Sequence, residues 1–331
     1  MVIRPLAVTL GDPAGIGPEI ITAAWVGRAA DAPPFVVYGD AGSLERVGSP
    51  VLRVARPQDA ADVFSDALPV IDMPLPSPVS PGAPSPAAAW SVINWIAAAT
   101  QACLSGEARA LVTAPISKAV LKSAGFRHPG HTEFIGELTA GAPFSGERGP
   151  VMMLAAADLK VTLATIHLPI SEVAAALRPD GLLRTARVTA QALVQDFGVV
   201  RPRLAMAALN PHAGESGEIG HEELTLIGPV IDILRGEGLE IAGPMPADSL
   251  FAPDIRKRFD AMICMYHDQA LIPIKMLDFW GGVNLTLGLP VVRTSPDHGT
   301  AFDIAGKGLA RADSFIAALR MAGEIAHRRS P

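Results

Sequence analysis

Short apolar runs that end in turn residues recur along the chain and predict buried strands. These runs are Leu6–Leu10, Phe35–Tyr38, Ala110–Thr113, Val161–Thr165, Leu204–Leu209 and Ala261–Met265. Helix-like stretches such as 170–197 and 222–237 separate them, and we expect further helices to begin at Pro18 and near Ser117. Because strands and helices alternate, the pattern predicts an α/β fold with a mostly parallel sheet.

The longest uncharged segment, between Asp72 and Glu107, has to be considered as a membrane span. Six prolines within residues 74–86 exclude a spanning helix from its first half. Its second half, 87–105, is interrupted by polar side chains. We therefore predict a proline-rich loop followed by a buried amphipathic helix, and no membrane partner.

Composition narrows the class of protein. A length of 331 residues suggests about two domains, and 49% hydrophobic with 18% charged residues exclude global disorder. A formal net charge of -6 without a basic block argues against a nucleic-acid partner. The two cysteines, Cys103 and Cys264, fit a reducing compartment, and the first residues lack a signal-peptide pattern. We expect a cytoplasmic protein.

A histidine follows three of the predicted strands: His167, His212 and His267. Ligands of open α/β sheets bind beyond the carboxyl ends of the strands. The spacings of 45 and 55 residues match no local metal motif, and each ring taken singly is expected to pack locally. Three histidines at equivalent strand ends nevertheless favour a shared site, and three neutral imidazoles suit Zn²⁺ or another borderline divalent ion.

The segment Gly130-His131-Thr132-Glu133 precedes a predicted helix, with Thr132 as its expected N-cap. A helix N-terminus also offers free N–H groups to an anion, which would place His131 and Thr132 beside a phosphate or carboxylate.

Lys275 and Arg293 stand out in apolar surroundings. One interpretation is that their charged ends reach solvent along the surface. The other is a cationic pocket for an acidic substrate, in which arginine binds an oxyanion bidentately.

Two glycine-rich segments suggest nucleotide sites. Residues 11–19, GDPAGIGPE, follow a strand and open a helix, but Ile20 stands where GxGxxG requires its third glycine. A Rossmann site is therefore not expected there, and the chain has no P-loop motif. The second segment, 298–308, reads HGTAFDIAGKG.

The runs GDPAGIGPE, TAPISK, GHTEF, LNPHAGE, YHDQALIPIK and GVNLTLGLPVVRTSPDHGTAFDIAGKG resemble the 4-hydroxythreonine-4-phosphate dehydrogenase family of pyridoxal phosphate biosynthesis, and they extend from residue 11 to 308. Within the last run, the segment HGTAFDIAGKG also resembles the cofactor loop of isopropylmalate and isocitrate dehydrogenases. The resemblance implies their two-domain fold with a non-Rossmann NAD site. It implies one discontinuous domain, 1–130 plus 268–331, with the cofactor loop, and a second, 131–267, with metal ligands and dimer contacts.

The same resemblance implies the roles of individual residues. Metal ligands are His167, His212 and His267; substrate-binding residues are His131, Thr132, Lys275, Asn284 and Arg293; catalytic residues are Lys275 and Asp248; cofactor-binding residues are His298, Gly299, Asp303 and Gly306. The departure TAPISK, in place of the more usual GPVHK, leaves the role of Lys118 open. We expect changes at Gly299 or Gly306 to weaken NAD binding, and changes at Gly15 not to act through the cofactor.

The implied reaction is oxidation of 4-phosphooxy-L-threonine at C3 to a 3-keto acid, which decarboxylates to 3-amino-2-oxopropyl phosphate. The implied cofactors are NAD or NADP and a divalent metal, with zinc favoured over cobalt or magnesium. A homodimer with a shared active site is also implied. The sequence leaves open the metal, the preference between NAD and NADP and the proton-transfer residue.

Other functions are compatible with these residues. A related dehydrogenase would act on a phosphorylated sugar acid such as threonate 4-phosphate or on an aromatic cis-dihydrodiol, although Thr132 and Arg293 favour a phosphorylated substrate. A zinc hydrolase would use the three histidines to activate water. It would need no NAD, so a rise in melting temperature with NAD distinguishes the two classes.

Overall fold

A computed structural model of the chain describes residues 4–329. The described chain forms two compact units, each built from two stretches: 4–143 with 289–327, and 144–288 with 328–329. The boundaries expected from the sequence, at 130 and 268, lie earlier in the chain. The later division has a structural reason, because strand Val283–Leu287 pairs with Val151–Ala156 and thereby keeps residues beyond 268 in the second unit.

The twelve strands among the described residues are short and largely buried. They are β1 Leu6–Thr9, β2 Phe35–Gly39, β3 Val51–Arg53, β4 Leu68–Asp72, β5 Leu111–Thr113, β6 Val151–Ala156, β7 Leu159–Leu163, β8 Arg203–Ala207, β9 Glu240–Met245, β10 Ala261–Cys264, β11 Val283–Leu287 and β12 Arg293–Pro296. In the first unit the order is β3-β4-β2-β1-β5-β12, with parallel pairing. In the second unit it is β11-β6-β7-β10-β8-β9, and only the two pairs that involve β6 are antiparallel. The predicted α/β class with a mostly parallel sheet is confirmed.

The α-helices alternate with these strands. They are α1 Gly17–Val26, α2 Ala41–Arg46, α3 Ala60–Val63, α4 Ala89–Leu104, α5 Lys118–Ser123, α6 His131–Leu138, α7 Ile170–Ala176, α8 Pro179–Gln195, α9 Gly228–Gly236, α10 Ala247–Leu250, α11 Pro253–Arg256, α12 His267–Leu277 and α13 Asp313–Arg329. The predicted starts are confirmed: Pro18 lies in the first turn of α1, and the Ser117 side chain accepts a hydrogen bond from Val120 N–H at the start of α5.

One of the two long predicted helical stretches is divided. The stretch 170–197 forms α7 and α8 because Pro179 lacks an N–H and begins a new helix. The stretch 222–237 is helical up to Gly236: its first part, Glu223–Ile227, is a wider π-helical segment that runs directly into α9. The predicted helix-like stretch is therefore interrupted at 177–178 in the first case and confirmed in the second.

One helical stretch among the described residues, Pro86–Leu104, is long and apolar enough to cross a membrane. Half of it is buried within the fold, and its α4 part packs against β1, β2 and β5 of the first unit. A core helix meets the same length and composition test, and this packing places α4 in the core.

Candidate active site

His167 and His267 come together at the ends of two adjacent strands. His167 follows β7 in a left-handed backbone conformation with φ of 47°, and His267 is the first residue of α12 after β10. Their ring centroids lie 5.6 Å apart. The hydroxyl of Thr165 donates to the carbonyl of Met265 over 2.6 Å and so joins the two loops. Both rings line a cavity of about 450 Å³, where imidazole nitrogens could approach a common ligand.

The neighbouring Asp268 orients the ring of His267. Nδ1 of His267 lies 2.7 Å from Oδ1 of Asp268. A carboxylate at one ring nitrogen favours the tautomer in which that nitrogen donates, which leaves Nε2 with a lone pair for a ligand. This arrangement is common behind metal-ligating histidines, and the sequence analysis did not assign Asp268 a role.

His212 lies in a left-handed turn, Pro211–Gly217, that follows β8. The non-glycine residues His212, Ala213, Glu215 and Ser216 all have φ between 43° and 59°. Each such residue costs about 1–2 kcal/mol of backbone energy, so the surrounding structure must hold the turn in place. No sequence pattern predicts a run of this kind.

Glu223, which is buried, holds that turn. Its Oε1 accepts the N–H groups of Leu209 at 2.8 Å and Asn210 at 2.7 Å, and its Oε2 accepts from Asn210 Nδ2 at 2.9 Å. A Cβ at Gly214 would lie 2.7 Å from Oε2 of Glu223, so only glycine fits inside the turn. Glu223 therefore determines the position of His212.

Histidine side chains are suitable metal ligands, but too few of these three lie close together within one chain. Across residues 4–329, no group of three or more His, Cys, Asp or Glu side chains converges closely enough to hold a metal ion. His167 and His267 meet, and His212 completes no such group with them. Of the three predicted ligands, His167 and His267 are therefore the two whose rings lie together within the described residues.

A second polar centre lies in the first unit and is built on a buried arginine. Arg293 begins β12 next to β5, and its Nη2 donates to the hydroxyl of Thr113 over 2.7 Å. Burial lowers the pKa of the Arg293 guanidinium to about 10, an effect opposed by the nearby Glu133 carboxylate. Arg293 is still charged at neutral pH. Arg293 is only 3% exposed, so the interpretation in which its charged end reaches solvent is wrong.

His131 faces the same centre from the start of α6. Its Nε2 is buried and has no hydrogen-bond partner in the described part of the chain. Burial, with the positive charges of Arg293 and Lys118, holds the pKa of His131 well below its usual range. The neutral ring leaves Nε2 ready to contact a ligand. Lys118 therefore lies near enough to His131 to act on its charge.

The helix start differs from the expectation in one detail. Gly130 flanks α6, and Thr132 is already its second residue, so Thr132 is not the N-cap. The reason is that the backbone is helical from His131 onward. Thr132 nevertheless stays beside His131 in the first turn.

We expect His131 to make stability depend on pH. As the pH falls below about 6.5, the unfolded chain binds a proton at this histidine that the folded protein excludes. The free energy of unfolding should therefore decrease toward low pH, by at most about 1.4 kcal/mol per pH unit from this group. Denaturant unfolding of the wild type and His131→Asn at pH 7.5 and pH 5.5 checks this. A stability difference between them that is the same at both pH values would contradict it.

The remaining predicted site residues of the second unit lie on separate elements. Lys275 is on α12, with its ammonium 5.2 Å from the ring centroid of Phe279. Asn284 is on β11, and its buried Oδ1 has no hydrogen-bond partner among the described residues. Asp248 is exposed in α10. No hydrogen bond or ion pair described between residues 4 and 329 joins Asp248 to Lys275 or to a histidine.

The glycine-rich loop 298–308 follows β12 in the first unit. Nδ1 of His298 lies 3.0 Å from the carbonyl of Gly299, and Asp303 is exposed. The N–H of Ile16 donates to the carbonyl of Thr300 over 3.0 Å, and a Cβ at Gly15 would lie 2.8 Å from that same oxygen. The two glycine-rich segments are therefore in direct contact. A side chain at Gly15 would press on the carbonyl of Thr300, so a change at Gly15 can reach this loop by direct contact, which the sequence-based prediction for Gly15 did not include.

Comparison with known proteins identifies the family. Residues 31–322 match the family model described as "Pyridoxal phosphate biosynthetic protein PdxA". A 4-hydroxythreonine-4-phosphate dehydrogenase of Caulobacter vibrioides is 58% identical over 331 residues, which is 99% of either chain. The crystal structure of a 4-hydroxythreonine-4-phosphate dehydrogenase from Klebsiella pneumoniae is 36% identical, with a TM-score of 0.85 over 98% of this chain and 99% of that one.

A structure with a different named activity is also similar. A terephthalate 1,2-cis-dihydrodiol dehydrogenase from Burkholderia xenovorans is 30% identical, with a TM-score of 0.64 over 97% of this chain and 98% of that one. Both the fold and the identity are closer to the hydroxythreonine phosphate enzymes. The chain therefore belongs to the PdxA family, the pyridoxal phosphate biosynthetic oxidoreductases whose curated relatives are 4-hydroxythreonine-4-phosphate dehydrogenases.

Proposed function

We propose that the chain oxidises 4-phosphooxy-L-threonine at C3 with NAD or NADP and a divalent metal. The hydroxyl proton and the C3 hydride leave the substrate, and the nicotinamide accepts the hydride. The resulting 3-keto acid loses its carboxylate as CO₂, and C2 takes up a proton to give 3-amino-2-oxopropyl phosphate. The observation that carries this proposal is the buried Arg293 beside a neutral His131, which suits a phosphorylated, anionic substrate.

Arg293, Thr132 and His131 would bind the anion. The Arg293 guanidinium can donate to two oxygens at once, with its other end already fixed on Thr113. His131 Nε2 and the Thr132 hydroxyl supply further polar contacts at the first turn of α6. We also assign substrate binding to Lys275 and Asn284.

The metal would be bound by His167, His212 and His267. A divalent cation, with zinc favoured over cobalt or magnesium, lowers the pKa of a bound hydroxyl and stabilises negative charge on the ketone oxygen during decarboxylation. The chain's own contribution is to orient these donors, through Asp268 at His267 and Glu223 at His212. We assign Lys275 and Asp248 to proton transfer or charge stabilisation.

The cofactor would lie along the glycine-rich loop, on His298, Gly299, Asp303 and Gly306. Backbone N–H groups of such a loop can approach phosphates closely because glycine has no side chain. We place the reaction in the cytoplasm, since both Cys103 and Cys264 are free thiols.

We further propose a homodimer whose metal site is completed by both subunits. The donor set is incomplete in one chain, and α12, which carries His267 and Lys275, continues into an exposed apolar face. This face consists of Ile272, Met276, Phe279 and Trp280, with Met276 82% exposed. A second copy of the chain is the occupant that would cover the face and supply the missing donor.

Met276→Glu tests the dimer. Placing a charge in the centre of this face should convert the protein to a monomer and lower metal content with it. Sedimentation velocity and metal analysis measure both, with the exposed Val200→Glu as a matched control. If Met276→Glu stays a dimer, a different face joins the subunits.

Turnover of purified protein tests the function. We expect NADH formation with 4-phosphooxy-L-threonine, its loss after chelation and its return with Zn²⁺, Co²⁺ or Mg²⁺. Threonate 4-phosphate and a cis-dihydrodiol serve as competing substrates, and faster turnover of either would overturn the substrate assignment. If saturating NAD does not raise the melting temperature, the hydrolase is favoured.

A further inference from the structure

The carboxylate of Glu19 is bound to the end of the glycine-rich loop by two hydrogen bonds. Oε2 accepts the N–H of Gly306 at 2.9 Å, and Oε1 accepts the N–H of Gly308 at 3.0 Å. The donors are backbone groups 287 and 289 residues away in the sequence. Both bonds have an ionised acceptor, which makes them stronger than bonds between neutral groups.

This end of the loop has few other means of holding its shape. Gly306 and Gly308 have left-handed backbones, with φ of 75° and 67°, and both are exposed. Glycine loses more conformational freedom on ordering than any other residue. The two N–H groups converge on one carboxylate, as they would on any anion seated in such a concavity. Glu19 therefore holds in place a segment whose two glycines leave its backbone unusually free in the unfolded chain.

The same N-terminal segment also holds the other end of the loop. Ile16 N–H donates to Thr300 O, and Gly15 packs against the same carbonyl. Glu19, Gly306 and Gly308 together line a cavity of about 680 Å³. The loop is thus fastened at Thr300 and again at Gly306 and Gly308, all by residues 15–19.

We infer that Glu19 is a positioning residue for the dinucleotide cofactor: it holds the far end of the loop in the form that receives the cofactor. This inference rests on the proposed function, which assigns the cofactor to residues 298–308. A loop that is ordered before binding does not lose conformational entropy when the cofactor arrives, so the protein binds the cofactor more tightly. We assign the phosphorylated substrate to Arg293 and His131, so the order of the glycine-rich loop should not raise its affinity.

Glu19→Gln is the decisive variant because it keeps the shape and replaces one acceptor oxygen by a donor. We expect the Kd for NAD, measured by calorimetry without substrate, to rise about tenfold, in line with the loss of a charge-assisted hydrogen bond. Backbone amide exchange over 298–308 should accelerate in the cofactor-free protein. The KM for the phosphorylated substrate and the kcat at saturating NAD should change less than twofold.

Two further variants serve as comparisons for Glu19→Gln. Glu324→Gln alters an exposed glutamate of α13 in the same unit and should change none of these quantities. Gly15→Ala should also raise the Kd for NAD, because its Cβ would push against Thr300 O. Together they distinguish loop positioning from a general loss of charge.

The possible outcomes distinguish a failure of this inference from a failure of the proposed function on which it rests. If the wild type binds NAD and Glu19→Gln binds it equally or more tightly, the positioning role is overturned. Tighter binding would mean that the carboxylate competes with a cofactor phosphate for the two N–H groups. If the wild type binds neither NAD nor NADP, the proposed function itself fails. If amide exchange is unchanged in Glu19→Gln, only the inference that Glu19 holds the loop is contradicted.

Discussion

Replacing Arg293 with alanine is expected to raise the KM for 4-phosphooxy-L-threonine by about a hundredfold or more, while the Kd for NAD changes less than threefold. Arg293 is buried and charged, and its Nη2 already holds Thr113. Loss of one partner from a buried charge contact costs about 2–5 kcal/mol, and 2.8 kcal/mol corresponds to a hundredfold change. Steady-state kinetics with each substrate varied in turn, and calorimetry for NAD, measure the two effects.

Two companion variants make the result for Arg293 specific. Arg293→Lys keeps the charge but lacks the planar fork, so it should recover only part of the lost affinity. Arg311→Ala removes an exposed arginine, paired with Asp313 in the same unit, and should leave both constants unchanged. Equal losses for the phosphorylated substrate and for NAD in Arg293→Ala would contradict an anion-binding role.

Replacing His212 with alanine is expected to abolish metal binding and turnover together, with kcat reduced by about a thousandfold or more. The strained left-handed turn around residue 212 should keep its conformation without the imidazole, since Glu223 and Asn210 hold its backbone. Metal content after dialysis, determined by elemental analysis, and the rate of NADH formation measure the two losses. Thermal unfolding of both proteins without metal should show little difference, because the ring is exposed.

His221→Ala is the matched control for this loss. His221 lies close to the same turn, is exposed and has no proposed ligand role. It should retain both metal and turnover. If His212→Ala kept a full complement of metal, ligation by His212 would be wrong, whatever happened to the rate.

The fold was predictable where local pattern and long-range structure agree. The six apolar runs all became strands, because a short uninterrupted apolar run in α/β proteins is buried on both faces of a parallel sheet. The one interruption of a predicted helical stretch arose where a local signal was given too little weight, because Pro179 marks a new helix within an otherwise amphipathic stretch. The stretch 222–237 was predicted as helical, but its π-helical start at Glu223–Ile227 has no sequence pattern of its own.

The candidate site was predictable to a smaller extent. Turn chemistry at strand ends pointed to His167 and His267, and the structure brings their rings together. The sequence pattern at the strand ends could not reveal the left-handed turn at His212, because this turn depends on the buried carboxylate of Glu223. Glu19 was also missed, since an acidic residue in a first helical turn already has an explanation in the helix dipole. Contacts over almost the whole chain length leave no trace in local spacing.

The discontinuous first unit has a consequence for how the protein is made on the ribosome. Residues 4–143 emerge long before 289–327, so the edge of β5 stays without its neighbour β12 while the intervening stretch is being translated. An open strand edge in a nascent polypeptide is prone to intermolecular pairing, which makes this interval the one in which a chaperone would matter most. Thr113 meets Arg293 only when β12 arrives. A product truncated between residues 113 and 293 would therefore expose the edge of β5 and lack the arginine that pairs with Thr113.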